Sequence, residues 1–286
     1  MKVIKAKVLG YCMGVRRAVE MALKVRTGAE GAVYTYGPLI HNRIVLDDLE
    51  RRGIFVLDEG GGIDAGAKVI IRAHGVAPQK EAELKAQGAE IFDATCPKVK
   101  KNQLTARELS ASGWTVFLAG EKNHGEIAGI LGYAPFCIVV ENAGDAEEAA
   151  RSLFSMQTKN NASFRTALLG QTTMSAGEYR NIAAVIGHYF PDVRVEDTVC
   201  AATQARQDAL TELCAGVDAI LVAGDSRSAN TRRLLSMARE LRPAWLVEDA
   251  ASIPPEIFTY GVVGISAGAS APDILIDDLE KALGVV

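Results

Sequence analysis

The sequence predicts an α/β fold built from parallel sheets. Short apolar runs rich in β-branched residues alternate with longer amphipathic runs, and this alternation persists along the whole chain. The apolar runs read as strands covered on both faces, because they are too continuously apolar for a strand with one wet face. In chain order, strands are expected at 3–9 (VIKAKVL), 68–72 (KVIIR), 89–93 (AEIFD), 115–119 (TVFLA), 136–140 (FCIVV), 218–223 (DAILVA) and 261–265 (GVVGI). Helical spacing lies between them. Val15, Ala18, Val19 and Ala22 recur at i, i+3, i+4 and i+7, and Ala209, Leu210, Leu213, Cys214 and Val217 make a similar stripe. The loosest stretch, 155–164 (SMQTKNNASF), reads as a surface connection.

Composition bounds the function. A chain of 286 residues holds two or three domains. With 49% hydrophobic and 23% charged residues it builds a core without a disulfide scaffold. A net charge of −4 argues against a broad nucleic-acid surface but leaves room for a local phosphate site. No apolar run approaches the roughly 18 residues of a membrane span. The opening MKVIKAKVLGYC has no uninterrupted apolar stretch and does not read as a signal peptide. A cytoplasmic protein is therefore expected, with its five cysteines as reduced thiols.

The informative residues stand where strands pass into helices. Cys12 follows the run 3–9. Cys96 follows AEIFDAT and precedes PKVKKNQLTAREL, and Cys200 follows VRVEDTV and precedes AATQARQDALTEL. Each cysteine is followed by two polar junctions: His41 and His74, then His124 and the pair Thr172–Thr173, then Ser228 and Ser270. His41 lies 29 residues after Cys12, while His124 and Ser228 lie 28 after Cys96 and Cys200. Sequence identity between the thirds is negligible, so the repeat is one of topology. It implies three similar α/β units, cut at 13–96, 97–199 and 200–286. Ligands of parallel sheets collect beyond the strands' carboxyl ends, so three such ends would enclose one central site.

Three thiolates converging on a point would bind metal, and a helix N-terminus favours the thiolate. Zinc takes three cysteines and a histidine, but structural zinc usually uses closely paired ligands such as C-x₂-C, and none occurs here. Widely spaced single cysteines suit a cluster at a domain junction better. A [4Fe–4S] cluster normally takes four thiolates, so three leave one iron open to a substrate oxygen. His41, His74, His124, Ser228, Asn230 and Ser270 are donors suited to a phosphate or diphosphate, reinforced by helix N-termini. Glu126 is the one acid in this set and hence the candidate proton donor, with Thr172 to relay or position the proton.

Plainer readings stand beside these. Ser228 and Ser270 are also good helix caps, and Ser-Ala-Pro at 270–272 reads as a helix start. Cys137 and Cys214 lie in apolar patterns and read as core residues. His188 reads as a surface residue, and Lys98, Lys100 and Lys101 as a solvated face. His124-Gly125-Glu126 matches the H-x-E of zinc deaminases, but no P-C-x-x-C follows it. GGGIDAGAK at 60–68 lacks the G-K-[ST] of a phosphate-binding Walker loop.

The stretches GYCMGVRRA (10–18), IHNRIVLDDLERRG (40–53), AHGV (73–76), FDATCPKV (92–99), HGEIAG (124–129), GQTTMS (170–175), ARQDAL (205–210) and SAGASAPD (266–273) resemble the IspH/LytB family. These are the 4-hydroxy-3-methylbut-2-enyl diphosphate reductases, the last enzymes of the non-mevalonate (MEP) isoprenoid pathway. The resemblance spans essentially the whole chain. It implies a trefoil of three α/β domains around a [4Fe–4S] cluster on Cys12, Cys96 and Cys200, with the N-terminal strand 1–12 joining the third domain. It implies that His41, His74, His124, Ser228, Asn230 and Ser270 hold the substrate diphosphate, and that Glu126 and Thr172 deliver the proton. The implied reaction is reductive removal of the allylic hydroxyl, yielding isopentenyl and dimethylallyl diphosphate, with electrons from a ferredoxin or flavodoxin.

Three departures stand out against the family pattern. Ala229 replaces a serine of its Ser-Ser-Asn and removes one hydroxyl from the diphosphate site. Gly125 replaces the proline of its His-Pro-Glu, and Tyr11 a more usual phenylalanine. Other classes compatible with the residues are a carboxylate-using three-cysteine cluster enzyme such as quinolinate synthase, a non-enzymatic iron–sulfur sensor, and a zinc hydrolase.

Overall fold

The computed structural model describes residues 1–58 and 60–284. From the N-terminus these form β1 (Lys2–Lys5), α1 (Met13–Thr27), β2 (Val33–Tyr36), α2 (Arg43–Arg51), β3 (Ile54–Leu57), β4 (Lys68–Ile71), α3 (Pro78–Ala86) and β5 (Glu90–Asp93). There follow α4 (Pro97–Ala111), β6 (Thr115–Ala119), α5 (Gly125–Tyr133), β7 (Ile138–Val140), α6 (Ala143–Asn160), β8 (Thr166–Gly170), α7 (Ala176–Tyr189) and β9 (Arg194–Val195). The last third gives α8 (Ala201–Ala215), β10 (Ala219–Ala223), α9 (Ala229–Leu241), β11 (Ala244–Val247), β12 (Val262–Ala267) and α10 (Asp273–Ala282). The strands lie in three parallel sheets, as the strand–helix alternation implied.

The chain divides into two compact units, Met1–Gly61 with Ala201–Val286, and Gly62–Cys200. The first holds a sheet of order β1-β12-β10-β11 and the parallel pair β2–β3. In that sheet β12 is central, pairing Lys2↔Val262 on one side and Ala219↔Val263 on the other. The second unit holds the parallel pair β4–β5 and a sheet of order β7-β6-β8-β9.

Period-two burial explains why the central strands are apolar throughout. Along β6, Phe117 and Ala119 enter the core under α6 and α7, whereas Val116 and Leu118 enter the core under α4 and α5. Along β10, Ala219, Leu221 and Ala223 face the α10 side, and Ile220 and Val222 face α8 and α9. Both faces are covered, so every position wants an apolar side chain. The helix stripes follow suit: Ala18 and Ala22 of α1 are buried, as are Ala209, Leu210, Leu213 and Cys214 of α8.

Several expectations need correction. The first strand ends at Lys5 rather than 9 because the Val8 and Gly10 carbonyls turn to the Arg206 guanidinium, at 3.5 and 2.6 Å. The polar stretch 155–164 is no loop over most of its length, since α6 continues to Asn160. Its outward face needs no apolar residues, and Asn161 ends it in the left-handed conformation (φ 48°). Lys100 is not simply solvated: it lies 3.2 Å from Asp93 and donates to the Tyr133 hydroxyl at 3.1 Å. His188 is exposed, as expected.

Candidate active site

One local arrangement recurs at three strand ends. In the first unit the Cys12 amide donates to the Ala269 carbonyl at 3.1 Å. In the second unit the Cys96 amide donates to Ala73 and the Cys200 amide to Thr172, each at 2.9 Å. Every acceptor lies just beyond the strand that pairs with the cysteine's own: β12 beside β1, β4 beside β5, β8 beside β9. Parallel pairing is thus prolonged past the sheet to fix each cysteine loop before its helix begins.

Cys12 and Cys96 are the N-caps of α1 and α4 and make no capping bond through sulfur, while Cys200 directly precedes α8. All three are half-buried, as is Cys137, while Cys214 is buried. Burial pushes Cys137 up to about 12 and also raises Cys214. Among the described residues, no group of three or more His, Cys, Asp or Glu side chains stands together as a metal site.

A second polar set also repeats. His41, His124 and Ser228 each stand five residues after a strand, those ending at Tyr36, Ala119 and Ala223. This common loop length underlies the near-equal spacings in the sequence. His124 and Ser228 are the N-caps of α5 and α9, and His41 immediately precedes Asn42, the N-cap of α2.

In the first unit, Ser270 donates its hydroxyl to the His41 carbonyl at 2.9 Å, bringing two of the expected site residues together. Ser270 is not a helix cap: Pro272 caps α10. Ser228 is one, its oxygen accepting from the Thr231 amide at 3.4 Å, which leaves its own proton available. Asn230 is 4% exposed and its amide nitrogen and oxygen have no hydrogen-bond partner in the chain. A buried amide left so costs about 1–3 kcal/mol, a cost a bound polar ligand would offset.

In the second unit, Glu126 sits in the first turn of α5 at 1% exposure. One carboxylate oxygen accepts from the Thr172 amide at 2.9 Å, the other from the Thr172 hydroxyl at 2.7 Å. Burial pushes the carboxyl from 4.5 up to about 7, and chiefly the two bonds from Thr172, with a lesser contribution from nearby Asn102, hold it from rising further. An acid so poised exchanges its proton near neutral pH. The Glu126 amide donates to His124 Nδ1 at 3.1 Å, so a neutral imidazole there carries its proton on Nε2. The His74 ring packs edge-on against His124, centroids 4.9 Å apart. Glu126, Thr172, His124 and His74 therefore form one contiguous polar group, joined to Cys200 through the Thr172 carbonyl.

Two contributors fall outside the expected site residues, although Arg206 lies within ARQDAL. Arg206, 3% exposed, fixes the loop leading to Cys12 through the Gly10 carbonyl. Asn102, also 3% exposed, joins α4 to the end of β8 by donating to the Gly170 carbonyl at 3.3 Å. The available signal was position: Asn102 follows Val99 by three and precedes Ala106 by four, so it occupies the helix's apolar stripe.

Parallel sheets, cysteines at three strand-to-helix junctions and a buried carboxylic acid beside a histidine pair define an α/β protein with its polar junction residues beyond the strands' carboxyl ends. The chain belongs to the LytB family, whose profile, described as LytB protein, matches residues 3–284. The 4-hydroxy-3-methylbut-2-enyl diphosphate reductase of Treponema denticola is 45% identical, covering 99% of both chains. That of Aquifex aeolicus is 38% identical over 98% of this chain and 95% of its own. A solved structure of (E)-4-hydroxy-3-methyl-but-2-enyl diphosphate reductase, the terminal enzyme of the non-mevalonate pathway, matches with TM-score 0.71 and 36% identity, covering 100% of both chains. The E-1-hydroxy-2-methyl-but-2-enyl-4-diphosphate reductase of Plasmodium falciparum matches with TM-score 0.87 and 26% identity, over 98% of this chain and 86% of that one. No helix among the described residues is long and apolar enough to cross a membrane.

Proposed function

We propose that this chain reduces (E)-4-hydroxy-3-methylbut-2-enyl diphosphate to isopentenyl and dimethylallyl diphosphate, the last step of the non-mevalonate pathway. The observation that carries the reading is the buried Glu126, held by Thr172 and poised at about 7, in a chain of the LytB family. Cys12, Cys96 and Cys200 are the proposed ligands of a [4Fe–4S] cluster. As a donor set they fit it: thiols alone, each at a helix start, with sulfur unused in capping by Cys12 and Cys96. When bound, the cluster would supply single electrons and a Lewis-acidic iron.

The chain's own residues do the rest. His41, His74, His124, Ser228, Asn230 and Ser270 hold the diphosphate, Asn230 through its unpaired amide and Ser270 after its hydroxyl turns from the His41 carbonyl. Glu126 gives its proton to the substrate hydroxyl oxygen, so that the C–O bond breaks and water leaves, while Thr172 keeps the carboxyl aimed. Two electrons enter, and a second proton reaches either end of the allylic anion, giving the two products. A cytoplasmic location suits the thiol ligands, and a ferredoxin or flavodoxin is the proposed electron donor.

The test is turnover of the allylic diphosphate by anaerobically purified protein with a reduced ferredoxin or viologen. Glu126→Gln should retain the iron–sulfur absorbance and substrate affinity but lower kcat by about 10²–10⁴. Undiminished turnover would remove Glu126 from the mechanism.

A further inference from the structure

We propose that Arg206 is a positioning residue for Cys12: its guanidinium stands in for missing rungs between β1 and β12 and so fixes the loop that presents this thiol. The inference rests on Cys12 being a cluster ligand. Regular pairing of the two strands runs to the Ala6 amide, which donates to the Ile265 carbonyl at 2.9 Å. It resumes at the Cys12 amide, which donates to the Ala269 carbonyl at 3.1 Å. Between these two bonds the N-terminal segment spends six residues and its partner only four. The surplus backbone leaves the ladder, and its carbonyls need donors from elsewhere. Arg206 supplies them. Its Nη2 donates to the Gly10 carbonyl at 2.6 Å, and its Nη1 reaches the Val8 and Ala267 carbonyls, each at 3.5 Å.

Arg206 lies on the buried face of α8 with Thr203, Leu210 and Leu213. Packing alone asks for an apolar side chain there, and a buried guanidinium is costly unless its hydrogens are bonded. Its rigid fork of N–H groups meets carbonyls of two chain segments at once, which the point charge of a lysine does not. The contacts fall two residues before the Cys12–Ala269 bond on each side, at Gly10 and Ala267. Gly10 makes the turn at φ 70°, where a Cβ would collide with the Asp273 carboxylate. The other two cysteine loops need no such brace. Ala94 to Cys96 runs in step with Ile71 to Ala73, and Glu196 to Cys200 with Leu168 to Thr172. Loss of the fork therefore loosens Cys12 and leaves Cys96 in place.

The test uses the cluster-loaded enzyme, purified anaerobically, and compares Arg206→Met and Arg206→Lys with wild type and with Leu210→Ala. The last removes packing from the same face of α8 but leaves the fork. Methionine keeps apolar bulk and loses every donor; lysine keeps the charge and serves if the methionine variant fails to fold. In both, amide exchange of the fragment holding Cys12, read by mass spectrometry, should quicken about tenfold, while the fragment holding Cys96 stays within about twofold. Iron release to a chelator should quicken about tenfold as well. The resonance Raman bands of the terminal iron–thiolate bonds should shift or broaden. Leu210→Ala should lower the urea midpoint yet change neither the ratio of the two exchange rates nor the bands. Equal quickening at Cys12 and Cys96, or the same changes in Leu210→Ala, would make Arg206 a general stabiliser and overturn the proposal. A loosened Cys12 loop with wild-type bands and iron release would overturn it too. If Cys12→Ser keeps full iron and sulfide, the reading of Cys12 as a ligand fails. If that variant loses them while the Arg206 variants match wild type, only the role of Arg206 fails.

Discussion

Glu126 makes a stability prediction independent of the reaction. Its carboxyl rises from 4.5 in water to about 7 in the fold because the charged form is buried. The folded state therefore holds the proton more tightly than the unfolded chain does. This favours folding fully below pH 4.5 and is lost as pH climbs through 7. At about 1.4 kcal/mol per pH unit the loss is on the order of 3 kcal/mol. Glu126→Gln has no such dependence, so its stability relative to wild type should improve by about that amount between pH 4.5 and pH 8. Urea unfolding at the two pH values measures the difference, and a gap that stays constant would contradict the burial argument. The identity of this acid was legible in the sequence, as the one carboxylate among the polar junctions. Its burial was not, because the group that meets its carboxylate, Thr172, lies 46 residues after it.

Several strands covered on both faces were legible, though β8 (Thr166–Gly170), buried throughout, was not among those expected. The runs at 68–72, 115–119 and 218–223 correspond to β4, β6 and β10 within one residue. Strands β2 (VYTY) and β9 (RV) carry less apolar signal, and β9 is two exposed residues that pair beside β8 only because the fold brings them there. Helix α6 hid its last turns behind polar residues that simply face water. Helix α5 carries the element-scale prediction. His124 is its N-cap, so Gly125 is its first residue, the place where proline's fixed φ and missing N–H are tolerated best. A Cβ at Gly125 would stand 3.4 Å from an Arg72 guanidinium nitrogen, the far end of a flexible side chain. Gly125→Pro should then stabilise the protein by about 0.4–1 kcal/mol through the unfolded chain's lost freedom, while kcat stays within about twofold. Thermal unfolding and turnover check the two halves. Destabilisation would mean that the glycine is needed for its backbone, and a large fall in kcat that it sets the aim of Glu126.

At the scale of the whole molecule, a junction pattern recurs in thirds of negligible mutual identity. Equal loop lengths put His41, His124 and Ser228 five residues past their strands, and the same backbone latch secures Cys12, Cys96 and Cys200. Spacing of this kind survives in a sequence because loop length is set by geometry; the latches themselves are backbone contacts and leave no residue signature. The repetition makes a prediction that separates ligands from bystanders. If the three latched thiols bind one cluster, replacing any of them by serine removes a donor that the other two cannot make good. Cys12→Ser, Cys96→Ser and Cys200→Ser should each lose the iron, the acid-labile sulfide and the visible absorbance after anaerobic purification. Cys137→Ser should keep all three, because that thiol lies in the α4–α5 core and burial opposes its ionisation. Circular dichroism distinguishes cluster loss from unfolding. A serine variant among the three that retains full iron and sulfide would break the equivalence of the junctions, and protein carrying zinc without sulfide would assign the latched cysteines to a different metal.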